Sequence, residues 1–306
     1  MVQLYDLDQH FHTRSGIAFL SLCRALETHT ENEEWELKQR RPAEPPIFFP
    51  SNLTYVDCNM GGFYGLTVIT AAKGTGKTML ALGSVIEAAA SGQWQVVHFL
   101  AEDDYDGFVT RFDNYLREHP GAEDCYDRLH VVTVGKGQTP MMMTHTISEM
   151  LDTDVDLPLL VGIDSVNSIV NLSGRSYLHE LAKFGLWAMY ARRESRGNCA
   201  FLITAESNKR GEAKGENLPY WADVVVNMKK TRERNVVEMT LDKSRRTKGE
   251  GNMGKFYRIW HSGEFKHEDE VHGPSQPDLQ LVPEPVSEPL VEETEDQAWG
   301  QGEMPF

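Results

Sequence analysis

The stretch Leu66-Thr67-Val68-Ile69-Thr70 runs directly into Ala71-Ala72-Lys73-Gly74-Thr75-Gly76-Lys77-Thr78, and no other part of the sequence restricts the fold as strongly. Five residues with β-branched members predict a strand, a Gly-rich turn ends it, and the Ala/Leu-rich residues 79–90 predict a helix. Strand, glycine loop and helix in that order make a phosphate cradle. Gly74 and Gly76 let backbone N–H groups close on phosphate oxygens, and the positive end of the following helix faces the same charge. In such a cradle Lys73, Gly74, Thr75 and Gly76 wrap the phosphates, Lys77 reaches the β- and γ-phosphates, and the Thr78 hydroxyl holds Mg²⁺. Ala71 stands where the usual G-x-x-x-x-G-K-T pattern has its first Gly. A chance Gly-Lys-Thr at a helix start is the poorer explanation, because strand, loop and helix fall in register.

Beyond the loop, strand alternates with helix. Residues 95–101 predict a strand ending at Glu102-Asp103-Asp104, residues 105–117 a helix, 128–134 a strand and 140–151 a helix. Residues 158–163 are apolar without alternation, as a strand covered on both faces should be, and they end at Asp164-Ser165. A helix over 177–196 and a strand over 200–205 follow. This predicts an α/β fold, a mostly parallel sheet flanked by helices with right-handed crossovers. Residues 224–228, 236–241 and 256–260 have strand character without helices between them, so they should finish the C-terminal end of the sheet as antiparallel hairpins. Three regions result. Residues 1–50 combine a helical signal over 17–40 with a segment punctuated by Pro42, Pro45, Pro46 and Pro50, an arm or linker. Residues 51–266 form the core, and 267–306 the tail.

Charge divides along the same lines. The chain carries a net charge of −16, and the forty positions from His267 hold eleven acidic residues and no Lys or Arg, which leaves −5 for the rest. Within that rest, residues 209–250 are the densest basic run, with Lys229, Lys230, Arg232 and Arg234 near its middle. The global sign is therefore a poor guide to partners. No run of 18 apolar residues occurs, and Asp6 and Asp8 precede any apolar stretch, which argues against a membrane span or secretory signal and for a cytoplasmic protein. Cys23, Cys58, Cys125 and Cys199 are widely spaced and read as buried thiols in a reducing compartment. His10 and His12 have no further ligands nearby and read as surface residues.

Two carboxylates complete a candidate site. Asp164 closes an apolar strand about 90 residues after the phosphate loop, where a carboxylate holds Mg²⁺ through its water shell. Ser165 follows it where many ATPases have a catalytic Glu. The base that activates water then comes from another strand end. Glu102 is the first candidate, because strand ends of one parallel sheet converge on the edge that carries the phosphate loop, and Asp103 is the reserve. Asp103 or Asp104 can also cap the following helix.

Taken together, the phosphate loop, the strand ending in Ala101-Glu102, the strand ending in Asp164-Ser165, and Leu202-Ile203-Thr204-Ala205-Glu206-Ser207-Asn208-Lys209 resemble the RecA superfamily, nearest its DnaB-type helicase, RadA-type and KaiC-type branches. The resemblance covers residues 59–260. It implies a RecA-like P-loop ATPase core that hydrolyses ATP with Mg²⁺ and has Glu102 as the catalytic glutamate. Lys243-Ser244-Arg245 looks like the K-x-R hairpin that these branches insert into a neighbour's nucleotide site, so Lys243 and Arg245 would act in trans and the active enzyme would be an oligomer, a hexamer or a filament. The loop over 207–218, with Lys209, Arg210 and Lys214, is similar in position to the family's central DNA-binding loop. Glu206 departs from the Gln or His that many relatives place there to sense the γ-phosphate.

Two classes of function are compatible with these motifs. One is an oligomeric DNA-dependent ATPase of replication or recombination, a helicase-like motor or a RecA/RadA-like strand-handling protein that binds single-stranded DNA. The other is a KaiC-like regulatory ATPase without a DNA substrate. The tail, with six prolines and eleven acids, has too little apolar surface to fold. Its end, Glu303-Met304-Pro305-Phe306, resembles the acidic, Pro-Phe-terminated tips of single-stranded-DNA-binding proteins. That implies recruitment of a replication or recombination protein through Met304, Pro305 and Phe306; a merely solubilising tail, or one that covers the basic loops of its own core, are the alternatives.

Overall fold

A computed structural model of the chain describes residues 47–102, 105–134, 140–151, 157–173, 188, 198–207, 217–245, 251–259 and 262–272. The chain divides into two units between Gly273 and Pro274. The second unit lies wholly outside the described residues, as do residues 1–46 with the helix expected over 17–40 and most of the helix expected over 177–196.

The centre of the sheet is β3 (Leu66–Ala71), in which every residue is buried. A strand of this kind needs a core on both sides. Ile69 and Ala71 enter one apolar cluster, Leu66 and Val68 the other. Its two buried hydroxyls are satisfied: Thr67 donates to the Tyr64 carbonyl at 3.0 Å and Thr70 to the Val226 carbonyl at 3.4 Å. On one face lie α2 (Lys77–Ala90) and α3 (Tyr105–Glu118), the latter burying Phe108, Phe112, Tyr115 and Leu116 at helical spacing. On the other, residues of α4 (Pro140–Leu151) and α5 (Val166–Ser173) join the second cluster through Met143, Ile147, Val166 and Ile169.

Next to β3 run β4 (Gln95–Leu100), β5 (Leu129–Thr133), β6 (Leu159–Asp164) and β7 (Cys199–Glu206), all parallel. On its other side come β8 (Val224–Lys230), β9 (Val236–Ser244), β10 (Gly251–Ile259) and β11 (Glu264–His267). The sheet order is β11-β10-β9-β8-β3-β7-β6-β4-β5. The expected α/β architecture is thus present, a largely parallel sheet with antiparallel strands at its C-terminal end. One detail differs: β8 is parallel to β3, and antiparallel pairing begins only with β9. Thr67 lies opposite Val224, so β8 starts from the same edge as β3.

Both expected boundaries of the core move outward. Phe48 and Phe49, expected in the arm, form β1 (Phe48–Phe49), which pairs with β2 (Phe63–Tyr64) after the short helix α1 (Thr54–Met60). The Phe49 ring lies 6.0 Å from that of Phe63 and 5.8 Å from that of Trp94, edge to face. Fully burying such a ring is worth roughly 1.5–3 kcal/mol, which the prolines around it do not oppose because β1 is short and at an edge. At the other boundary, His267 belongs to the fold and not to the tail. It is buried in β11, opposite Phe256, with Nε2 bonded to the Met253 carbonyl at 2.9 Å, and α7 (Glu268–His272) follows. Cys125 and Cys199 are buried as expected, whereas Cys58 is exposed. Among the described residues no helix is long and apolar enough to cross a membrane.

Packing at β4 and β6 leaves a histidine in the interior. His98 is buried, its Nδ1 has no hydrogen-bond partner among the described residues, and burial pushes its pKa down to about 4. Gly162 on β6 makes the room: a Cβ there would collide with His98 Nδ1 and lie 2.9 Å from Val85 Cγ1. Gly162→Ala should therefore destabilise by about 1–3 kcal/mol through overpacking, read from a urea midpoint. The pH dependence has a definite sign. The unfolded imidazole takes up a proton below about pH 6.5 while the folded one stays neutral, so stability is full above that pH and falls as pH drops toward 4, by up to about 3 kcal/mol. Half-buried His130 shifts in the same direction. Urea midpoints of the wild type should fall through this window and those of His98→Leu should fall less; equal slopes would remove His98 as the cause.

Candidate active site

Parallel strands bring their carboxyl ends to one edge, and four of them meet here. The phosphate loop leaves β3, Glu102 follows β4, Asp164 ends β6 and Glu206 ends β7. Ala71, at the position where the pattern has Gly, is still strand: it pairs with Glu206 and Met228 and its side chain is in the core, so the loop proper begins at Ala72. Gly74 and Gly76 have φ of 71° and 116°, which only glycine takes without strain. Thr75 is buried and donates its hydroxyl to the Ala72 carbonyl at 2.8 Å, closing the loop on itself. No side chain caps the start of α2 and no acidic residue lies in its first turn, so its leading N–H groups are turned to an anion.

A cleft of about 390 Å³ opens at this edge, lined by Gly74, Gly76, Lys77, Thr78, Glu102 and Asp164 among others. The fold thus gathers the sequence-predicted phosphate, metal and base residues in one place. Lys77 is buried in its lining, while Lys73 is exposed. Asp164 is 1% exposed. Its Oδ1 accepts the Thr204 hydroxyl, and its Oδ2 is buried without a hydrogen-bond partner among the described residues. A buried carboxylate oxygen left this way fits a hydrated Mg²⁺ shared with the Thr78 hydroxyl, since that ion takes one or two protein oxygens and keeps several waters. The Asp164 carbonyl accepts the N–H groups of Ala101 at 2.8 Å and Glu102 at 3.3 Å, so the candidate base is held by the backbone of the candidate metal ligand. Asp103 and Asp104 lie outside the described residues.

Several participants were not legible in the sequence. Thr204 orients Asp164 from the neighbouring strand, and the sole hydroxyl among the apolar residues of β7 was the available signal. Asn167, buried on α5, accepts the Glu206 N–H at 2.6 Å and so ties the end of β7 to the helix that follows β6. Arg111, Asn114 and Tyr115 of α3 line the far side of the cleft. Arg258 of β10 lines it too, donating from Nη1 to the Gly74 carbonyl at 3.3 Å, and burial lowers its pKa. No local pattern marks Arg258, which stands far along the chain from the loop.

Lys243 and Arg245 are not brought to this cleft. Because β9 runs antiparallel, Ser244 lies opposite Val224 at the start of β8, on the sheet edge remote from the phosphate loop. There Lys243 Nζ donates to the carbonyls of Pro219 at 2.9 Å and Tyr220 at 2.8 Å, at the end of α6 (Asn217–Trp221). Arg245 Nη2 donates to the Tyr220 carbonyl at 2.9 Å, and Nη1 lies 3.9 Å from Asp223 Oδ1. Lys209, Arg210 and Lys214 lie outside the described residues.

Comparison with known proteins agrees with this geometry. The profile described as AAA domain matches residues 38–212, more than half of the chain. No curated protein sequence matches. Among solved structures, an isolated ATPase domain is similar with a TM-score of 0.59 at 14% identity, over 82% of this chain and 97% of that one. A DnaB-like replicative helicase, whose structure was studied for its interactions with primase, has a TM-score of 0.57 at 14% identity, over 82% of this chain and 66% of that one. A KaiC-like protein from Pyrococcus horikoshii has a TM-score of 0.55 at 14% identity, over 72% and 99%. A phosphate loop on the central strand, with acidic strand ends on the same edge and this profile across them, places the chain in the AAA domain family, as a P-loop ATPase with a RecA-like fold.

Proposed function

We propose that this ATPase works as an assembly of copies of itself, a hexameric ring or a filament, and is driven by single-stranded DNA in replication or recombination, as a helicase-like motor or a strand-handling protein. The observation that carries the reading is the place of Lys243 and Arg245. They stand on the sheet edge opposite their own phosphate loop, so the site they would serve belongs to a second copy. To reach it, Arg245 exchanges the Tyr220 carbonyl and a long, solvent-screened approach to Asp223 Oδ1 for direct charge-assisted bonds to a γ-phosphate.

In this reading Glu102 takes the proton of the attacking water and Lys77 holds the β- and γ-phosphates. Bound Mg²⁺ supplies neutralisation of phosphate charge, and Asp164 and Thr78 are the residues that would hold it. Arg245 of the neighbour meets charge developing on the γ-phosphate. Lys209, Arg210 and Lys214 contact DNA phosphates without reading sequence. Their loop leaves the sheet at Ser207, whose N–H donates to the Ala71 carbonyl at 3.0 Å, just before the phosphate loop. That bond gives the two loops a shared support. Met304, Pro305 and Phe306 recruit a replication or recombination protein.

For the chemistry, Glu102→Gln should keep nucleotide binding and lower turnover ~10²-fold or more, because only water activation is removed. Thr204→Val should raise the Mg²⁺ concentration needed for half-maximal activity by ~10- to 100-fold, as loss of an orienting bond to a metal ligand does. Wild-type turnover by Glu102→Gln would move the base elsewhere.

Single-stranded DNA should raise the ATPase rate about tenfold, which is about 1.4 kcal/mol of barrier. Neutralising Lys209, Arg210 and Lys214 together should weaken DNA binding evenly across sequences and flatten its salt dependence. An unresponsive ATPase would favour a KaiC-like regulator. Shared-site action has its own check: mixing Arg245→Ala with Lys77→Ala subunits should restore activity that neither has alone. If mixed assemblies form and stay as inactive as each parent, Arg245 does not act in trans.

A further inference from the structure

The phosphate loop is approached by cations from its own chain as well as by Lys77. Gly74 lies between two of them. Arg258 Nη1 donates to its carbonyl at 3.3 Å, and a Cβ built on Gly74 would lie 3.3 Å from Lys230 Nζ, at the end of β8. Gly76 is crowded from the same side: a Cβ there would lie 3.1 Å from Arg258 Cδ, 3.3 Å from its Nη1 and 2.9 Å from Phe265 Cζ. Arg258 is therefore hydrogen-bonded to Gly74 and occupies the space that a side chain at Gly76 would need. It also faces the cleft that holds Lys77 and Thr78.

Topology explains how it gets there. β10 is antiparallel to β9, and β9 to β8, so β10 runs in the same sense as β3 and delivers Arg258 to the edge where the phosphate loop begins. The same alternation sends Arg245 to the opposite edge. Two arginines of one antiparallel unit thus occupy opposite ends of the sheet, one beside its own loop and one away from it.

We propose that Arg258 is a phosphate-binding residue acting in cis, which exchanges the Gly74 carbonyl for the nucleotide's phosphates when the cleft is filled. The inference rests on the assignment of this cleft as the nucleotide site. A carbonyl is a neutral acceptor and a polyphosphate a charged one, so this exchange favours the nucleotide, and the long side chain is already at the loop. A half-buried guanidinium also gains more from an anion than a solvated one does. Lys230 adds a second positive charge beside Gly74.

The test is titration of the full chain, without DNA, with fluorescent ATP, ADP and AMP at several salt concentrations. Arg258→Ala should weaken ATP binding ~10- to 100-fold, the range expected for one charge-assisted bond, with a smaller loss for ADP and little for AMP. Its salt dependence should flatten, and Arg258→Lys should recover part of the loss. Equal losses for all three nucleotides would mean that Arg258 only braces the loop, and no loss would mean that it stays on Gly74; either overturns the proposal. Should Arg258→Ala melt below the wild type, Arg258→Gln, which keeps a donor for the Gly74 carbonyl without the charge, carries the same comparison. Lys77→Ala separates the two readings: if it too leaves ATP binding intact, the cleft is not the nucleotide site, whereas loss with Lys77→Ala alone rejects only the role of Arg258.

Discussion

The chemistry of this chain depends on where Asp164 sits in the register of the sheet. Its backbone carbonyl takes two N–H groups from the Ala101–Glu102 segment, its Oδ1 takes the Thr204 hydroxyl, and Oδ2 is left for the cleft. Burying a carboxylate is costly unless its lone pairs are satisfied, and here only part of that demand is met by protein. Asp164 lines the same cleft as Lys77 and Thr78. A shift of one residue in the β6–β7 pairing would turn the Asp164 side chain to the other face and separate it from Thr204. The fully buried, apolar strands on either side make that shift prohibitive, so the core protects the site's geometry as well as the fold's stability.

The antiparallel strands bring basic residues to both ends of the sheet. Parallel strands with helical crossovers gather their carboxyl ends on one edge only, and a site built from them faces one way. Adding β9, β10 and β11 in alternating directions carries basic residues to both edges: Arg258 to the phosphate loop, Lys243 and Arg245 to the opposite side. An ATPase that is to be completed by a neighbour needs such a two-ended element, because the donor and acceptor of the shared site must lie on different surfaces of each copy.

Much of the cleft is legible in the sequence, and the reasons are local. Gly74 and Gly76 mark positive φ, Lys77 and Thr78 open a helix, and Glu102 and Asp164 each end an apolar run; topology then requires those ends to converge. What was missed lies across the sheet. Thr204 meets Asp164, and Arg258 meets Gly74, at separations of 40 and 184 residues. Phe48 and Phe49 sit among prolines that suggest an arm, yet two aromatic partners, Phe63 and Trp94, pull Phe49 into the core.

By itself, then, the sequence determined the α/β class, the phosphate loop and the acidic strand ends, because each follows from backbone conformational preference and hydrophobic period within a dozen residues. Only the tertiary structure decided that β8 joins β3 in parallel, that His267 belongs to the core and that Arg258 and Arg245 face opposite edges. Strand order and direction are settled by which apolar faces bury each other across the whole sheet. That competition leaves no mark in the periodicity of any one segment.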